Sequence, residues 1–116
     1  MRPETAMFLR DVRESCLHIQ MFIRGKSLED YLSDLLLRSG VEREFIIVGE
    51  ALMRASKIES DQLVSITGLR EIIGFRNLLV HGYAVIEDNV VWDVALVNLP
   101  ILLRDVQTLL ATADPV

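Results

Sequence analysis

The sequence predicts an all-α fold, an up-and-down bundle of four to five helices. Three observations lead there. Apolar residues recur three or four positions apart through most of the 116 residues, the spacing that lines one face of an α-helix. No run alternating apolar and polar residues competes with that pattern. The punctuation is that of helix ends, with Pro3 near an opening, Ser27 before Leu-Glu-Asp, and Gly25 and Gly82 at closings.

The first helix carries Phe8, Val12, Cys16, Ile19 and Ile23, with Leu9 and Phe22 widening the stripe. Pro3 and Glu4 suit its first turn and Gly25 its stop. Ser27-Leu28-Glu29-Asp30 then reads as a capping box with Asp30 where Glu or Gln is usual. Leu28, Leu32, Leu35 and Leu36 follow as the apolar face. Gly40 marks a break or kink, after which Val41, Phe45, Val48, Gly49, Leu52 and Met53 resume the period. A glycine costs a helix only about 1 kcal/mol, so one bent helix from 27 to about 56 and two short ones both fit. Gly49 sits within the apolar face and predicts close helix–helix packing.

A third helical region, about 61–80, carries Leu63, Ile66, Leu69, Ile72, Ile73 and Leu79, weakened at Gly68 and Gly74. The fourth opens near Asp88 or Asn89 and runs to about 112, with Leu99, Leu102, Leu103, Val106, Leu109 and Leu110 as its stripe. Pro100 should kink or restart it, with Asn98 as a cap for the restarted part. Trp92 should anchor this helix to the core. A short hairpin pairing 84–86 with 90–92 is a minor alternative, because Val90 to Leu96 also fits a helical face. With no repeat, low-complexity tract or linker, a single domain over residues 1–116 is expected.

A chain of this length, 51% hydrophobic and 25% charged, can bury a core with limited surplus, so oligomerisation would help it. Its net charge of −5 argues against general charge-driven nucleic-acid binding; such a site would have to be a local arginine cluster. A lone cysteine, Cys16, fits a reducing compartment. No uninterrupted apolar run reaches the roughly 18 residues of a membrane span, and Arg10, Asp11, Arg13 and Glu14 interrupt any signal-peptide core. A cytoplasmic protein away from membranes is expected.

The chemically richest stretch is Arg76-Asn77-Leu78-Leu79-Val80-His81-Gly82-Tyr83. It holds an obligate cation, a titratable imidazole and a phenol at the expected end of a helix. Arg76 and His81 lie about 140° apart on a straight helix, so they share a face only if the helix ends between them. Gly82 supplies an ending that lets His81 and Tyr83 swing round the terminus. By spacing alone, such a pair more often serves as a C-cap and salt-bridge donor. His18 reads as a surface or interface histidine, and the two histidines and one cysteine make no zinc spacing. Asp11 and Asp34 read as solvated bundle acids, and Glu50 as a structural residue able to buttress Arg76.

Arg76, His81 and Tyr83 form R-x4-H-x-Y, which resembles the signature of the HEPN superfamily and its HepT-like toxins. Arg43-Glu44-Phe45-Ile46-Ile47-Val48-Gly49-Glu50-Ala51 is similar to a conserved-pattern helix of that family, with Ile46 and Val48 departing from it. Ile72-Ile73-Gly74-Phe75-Arg76-Asn77, Val90-Val91-Trp92 and Asn98-Leu99-Pro100 resemble further blocks in order. The resemblance implies a HEPN domain acting as the toxin of a type VII-like toxin–antitoxin module. The activity implied is a metal-independent endoribonuclease without cofactor, in which the 2′-hydroxyl of the RNA substrate attacks the adjacent phosphate. Arg76 and His81 would be catalytic and Asn77 would position the substrate. The resemblance further implies a homodimer with a composite site, and a minimal nucleotidyltransferase antitoxin that AMPylates Tyr83. Two copies of Arg76, joined by Arg70 or Lys57, would supply the local positive charge. A non-catalytic helical subunit binding substrate or nucleotide for that transferase is the alternative, and a dimeric helical adaptor using the Leu99–Leu110 stripe is a plainer one.

Overall fold

Side chains that satisfy free backbone groups decide where the helices begin and end. The computed structural model describes residues 1–82 and 86–113. Pro3 opens α1 (Pro3–Ile23), where its missing N–H costs nothing. The Arg2 backbone N–H and the Thr5 hydroxyl both donate to the Glu59 carboxylate, tying the start of this helix to the end of the third. Gly25 takes a positive φ of 74° beyond the helix end, a conformation that costs glycine little. Ser27 then caps α2 (Leu28–Ser33) with both halves of the expected capping box: Asp30 N–H donates to Ser27 Oγ at 3.1 Å, and Ser27 N–H to Asp30 Oδ2 at 2.9 Å.

The break between α2 and α3 (Leu35–Glu59) falls at Asp34, not Gly40. Asp34 leaves the helix at φ −120°, ψ 98°, and its carboxylate accepts the Leu37 N–H at 3.1 Å, capping the new helix. This local bond competes with the helical ladder, whereas Gly40 continues inside α3 against the Phe22 ring. Arg38 closes the junction: its Nη1 donates to the Tyr31 and Leu32 carbonyls at the end of α2, and its Nε lies 3.4 Å from Asp88.

The expected helix over 61–80 is shorter. A 3-10 turn, Ser60–Leu63, follows α3, and α4 begins only at Leu69 after Gly68 in the left-handed region (φ 68°). A bond distant in sequence holds this detour, the Thr67 N–H donating to Asp105 Oδ2 at 2.9 Å. α4 (Leu69–His81) leads to α5 (Asp88–Asp93), a wide π turn (Val94–Asn98) and α6 (Leu99–Ala113). The expected kink or restart at Pro100 takes the form of this wide turn, after which α6 starts at Leu99. Leu99 N–H donates five residues back to the Val94 carbonyl, and this widened turn carries the helix past a residue that lacks the N–H of the usual ladder. Asn98 lies inside the turn and is not a cap. Where a hairpin was the minor alternative, residues 88–93 are helical, and no strand occurs among the described residues.

The core is one cluster. Leu9, Val12, Cys16 and Ile19 of α1, Val41, Val48 and Leu52 of α3, and Leu99, Leu102 and Val106 of α6 are buried in it. Trp92 is buried against Tyr31, with ring centroids 5.3 Å apart, as an anchor should be. Burial, helped by the charge of Glu44, pushes the Cys16 thiol up to about 12, so it acts as a small apolar core residue and not as a nucleophile. Asp88–Thr112 together are long and apolar enough, at mean hydropathy 1.5, to cross a membrane. Counting uninterrupted runs missed this because Asp93, Asn98 and Arg104 divide the stretch. Its main apolar stripe is spent on the core.

α4 is the exception to this burial. It packs chiefly on α3, and none of its residues is fully buried.

Candidate functional site

Two glycines set the ends of α4. Gly68 precedes it, and Gly82 (φ 63°) follows it with its N–H donating to the Leu78 carbonyl at 3.1 Å. Only glycine adopts such a φ without strain, so the expected stop is where the structure has it. Its consequence differs from the expectation, however. The helix runs unbroken through His81 and ends after it. Arg76 and His81 therefore stay about 140° apart around the helix and about 7.5 Å apart along it. They leave a single α4 in different directions.

Arg76 is laid across α3 at Gly49. A Cβ added to Gly49 would lie 2.1 Å from Arg76 Cβ and 2.5 Å from Cγ, so the predicted close packing is between this glycine and the arginine stem. The stem also borders a small apolar cleft with Phe45, Phe75, Leu99 and Leu102, and the Phe45 and Phe75 rings pack beside it at a tilt of 38°, centroids 5.3 Å apart. Its side chain is 16% exposed. Nη1 donates to Asn77 Oδ1 at 2.9 Å, and Nη2 lies 4.0 Å from Glu50 Oε2. Glu50 Oε1 in turn accepts from Arg54 Nη2 at 2.9 Å. The Arg76 Nε is buried without a hydrogen-bond partner among the described residues. The result is a cation whose stem is fixed by packing and whose fork is held by Asn77 on one side and faces Glu50 on the other. Such a guanidinium is placed for an anion and already oriented, which lowers the cost of binding one.

Asn77 is exposed and bonded to Arg76, so it holds the arginine fork in the free protein. His81 stands exposed in the last turn of α4. Tyr83 lies outside the described residues. Arg70 and Lys57 are exposed. Among the described residues, no group of three histidine, cysteine or acidic side chains comes together to hold a metal.

The structure gives three polar residues places that the sequence reading did not. Asn98, expected as a cap, lines the same cleft as Arg76, and its signal was an Asn two residues before a helical proline. His18, read as a surface or interface residue, is half-exposed and has Nδ1 2.5 Å from Oε1 of the nearly buried Glu44, which also accepts from Ser15 Oγ at 3.3 Å. That cluster ties α1 to α3. Asp34 is a cap, away from this site.

Apolar side chains around the motif are exposed among the described residues. Leu78, Val80, Val90, Leu96 and Val97 are all more than 40% exposed. Between α4 and α5 lies an open cleft of about 750 Å³, lined by Phe75, Leu78, Ile86, Val90 and Val94 and by the carboxylate residues Glu71 and Glu87.

Comparison with known proteins agrees with the family resemblance of the sequence. The chain is 28% identical over 103 residues, 89% of its length and 91% of the other's, to a protein of Caldanaerobacter subterraneus subsp. tengcongensis named as a candidate RNase. It is 24% identical over 100 residues, 86% of its length and 91% of the other's, to a candidate RNase of Methanocaldococcus jannaschii. A second protein so named from that archaeon is 23% identical over 103 residues, 89% and 84% of the two chains. No solved structure matches the chain. The family described as Ribonuclease HepT-like matches residues 12–109. With that match spanning most of the bundle and containing both Arg76 and His81, the chain belongs to the HepT-like ribonuclease family of the HEPN superfamily.

Proposed function

We propose that this protein is a metal-independent endoribonuclease whose working site is assembled by two copies of the chain. The observation that carries the reading is the divergence of Arg76 and His81 on an unbroken α4 that packs chiefly on α3. One protomer offers a fixed guanidinium and, on another face, an imidazole. A two-fold partner seated on the exposed Leu78, Val90 and Val97 surface covers apolar area and brings a second Arg76–His81 set to the first.

In such a site the RNA 2′-oxygen attacks the adjacent phosphorus and the bond to the 5′-oxygen breaks. The 2′-hydroxyl proton passes to one imidazole, and the leaving 5′-oxygen takes a proton from the other. The products are a 2′,3′-cyclic phosphate and a 5′-hydroxyl. The Arg76 forks stabilise the extra negative charge of the pentavalent transition state, and Asn77 keeps the fork turned toward it. A pair of fixed guanidiniums gives a chain of net charge −5 the local positive field that RNA requires.

The same reading makes the protein a cytoplasmic toxin silenced by a minimal nucleotidyltransferase. Transfer of AMP from ATP to the Tyr83 phenol, with release of pyrophosphate, adds a phosphate two residues from His81. That phosphate competes for Arg76 and blocks the cleft.

Expression of the parent protein is expected to arrest growth, and purified protein to cleave RNA to cyclic-phosphate ends. His81→Ala should abolish both. Cleavage by purified His81→Ala protein at the parental rate would sink the nuclease reading; a parent that binds RNA without ever cutting it would favour the non-catalytic subunit. After co-expression with the transferase, mass spectrometry should find AMP on the parent and none on Tyr83→Phe, and a modified Tyr83→Phe would remove Tyr83 as the acceptor.

A further inference from the structure

Glu50 has a neighbour on each oxygen. One meets Arg76 and the other Arg54. Beyond it, α1 and α3 enclose a groove of about 180 Å³ lined by Phe8, Asp11, Arg43, Ile47, Glu50 and Arg54. Arg43, Ile47, Glu50 and Arg54 recur at the spacing of one helical stripe, so the two arginines stand about 16 Å apart along α3 with Glu50 between them. Arg54 is 59% exposed. Arg43 is exposed and makes no ion pair among the described residues. The cleavage chemistry uses neither of them, and packing does not require them.

With Arg76 included, this region gathers three guanidiniums against the carboxylates of Glu50 and Asp11. It is a positive spot on an acidic chain. The groove is also directly coupled to the candidate catalytic arginine, because Glu50 belongs to both.

We propose that the α1–α3 groove is the track of the RNA strand, in which Arg43 and Arg54 hold phosphates flanking the scissile one. Glu50 is a positioning residue in this scheme: it keeps the Arg54 and Arg76 forks turned toward each other until a phosphate takes over each of them. The proposal rests on the nuclease reading for the scissile phosphate, though its binding arm is read without cleavage.

The probe is a single-stranded 2′-O-methyl RNA oligonucleotide, which lacks the attacking hydroxyl. The Arg43→Ala/Arg54→Ala double variant, changed only at exposed positions, should bind it about tenfold more weakly or worse, with the slope of log affinity against log salt flattened by about 0.7 for each lost phosphate contact. With cleavable RNA the loss should fall on KM more than on kcat. Asp11→Asn should tighten binding, since it removes an acid from the track. Glu50→Gln should lower kcat by loosening Arg76, and Glu50→Asp should restore part of it. A folded double variant with the parental affinity and salt slope would overturn the track while leaving the nuclease reading intact. Weakened binding by the double variant of a protein that cleaves nothing would uphold the track and remove the nuclease reading.

Discussion

Arg76→Lys protein is expected to fold like the parent and to lose about 10²–10³ of its RNA-cleavage rate. The physical reason lies in how the side chain is divided. Its stem is packed over Gly49 and against the apolar cleft, and lysine supplies a stem of similar length. What lysine lacks is the planar fork that Asn77 and Glu50 hold from two sides and that matches a phosphate through two parallel hydrogen bonds. Arg76→Ala removes both parts, so it should lose stability as well as activity. Comparing the two by thermal unfolding and by single-turnover cleavage separates packing from chemistry. An Arg76→Lys protein that cleaves RNA as fast as the parent would show that the fork does nothing in the reaction.

Gly49→Ala should damage both fold and activity without touching a polar group. The added methyl would stand 2.1 Å from Arg76 Cβ and 2.5 Å from Cγ, where unstrained carbon atoms keep about 3.5–4.0 Å. Both partners are close to the backbone, so neither can swing aside, and α3 and α4 must separate. Overpacking of this kind costs about 1–3 kcal/mol, against a gain of about 1 kcal/mol from replacing glycine inside a helix. The activity should fall further than the stability, because a displacement of about 1 Å in a catalytic group can cost about 10²-fold. Gly40→Ala is the control on the same helix: its Cβ would meet only the edge of the Phe22 ring, at 3.4 Å. It should be neutral or stabilising in chemical denaturation. A Gly49→Ala protein that matched Gly40→Ala in both assays would refute the close approach of Arg76 to α3.

The features legible in the sequence were those whose physics is local. The capping box at Ser27–Asp30 and the glycine stop at Gly82 involve neighbours within one turn, and both are present as expected. The stripes of α1, of α3 from Val41 on and of α6 were legible because a buried face imposes its period on the residues that form it, whereas Leu28, Leu32, Leu35 and Leu36, expected as an apolar face, are exposed. The errors arose where two local signals competed. Gly40 looked like the break, yet a glycine inside a well-packed helix is tolerated, while Asp34 offers the backbone a bond outside the ladder. Pro100 was legible as a kink or restart, and the wide turn just before it is the form this takes, because it absorbs one missing donor while the flanking residues are held in the core. The late start of α4 could not be read at all, because its detour is tied to Asp105 on a distant helix.

The same division runs through the candidate site. The sequence by itself determined that an arginine, an asparagine and a histidine stand near the end of one helix, that a small residue on another helix expects a close neighbour, and which family the pattern resembles. Only the tertiary structure decided that the neighbour of Gly49 is Arg76, that Glu50 lies within reach of its fork, and that α4 packs chiefly on α3. The reason is that helix periodicity fixes where a side chain leaves its own axis. Which other axis it meets depends on how the apolar faces of all the helices pack together.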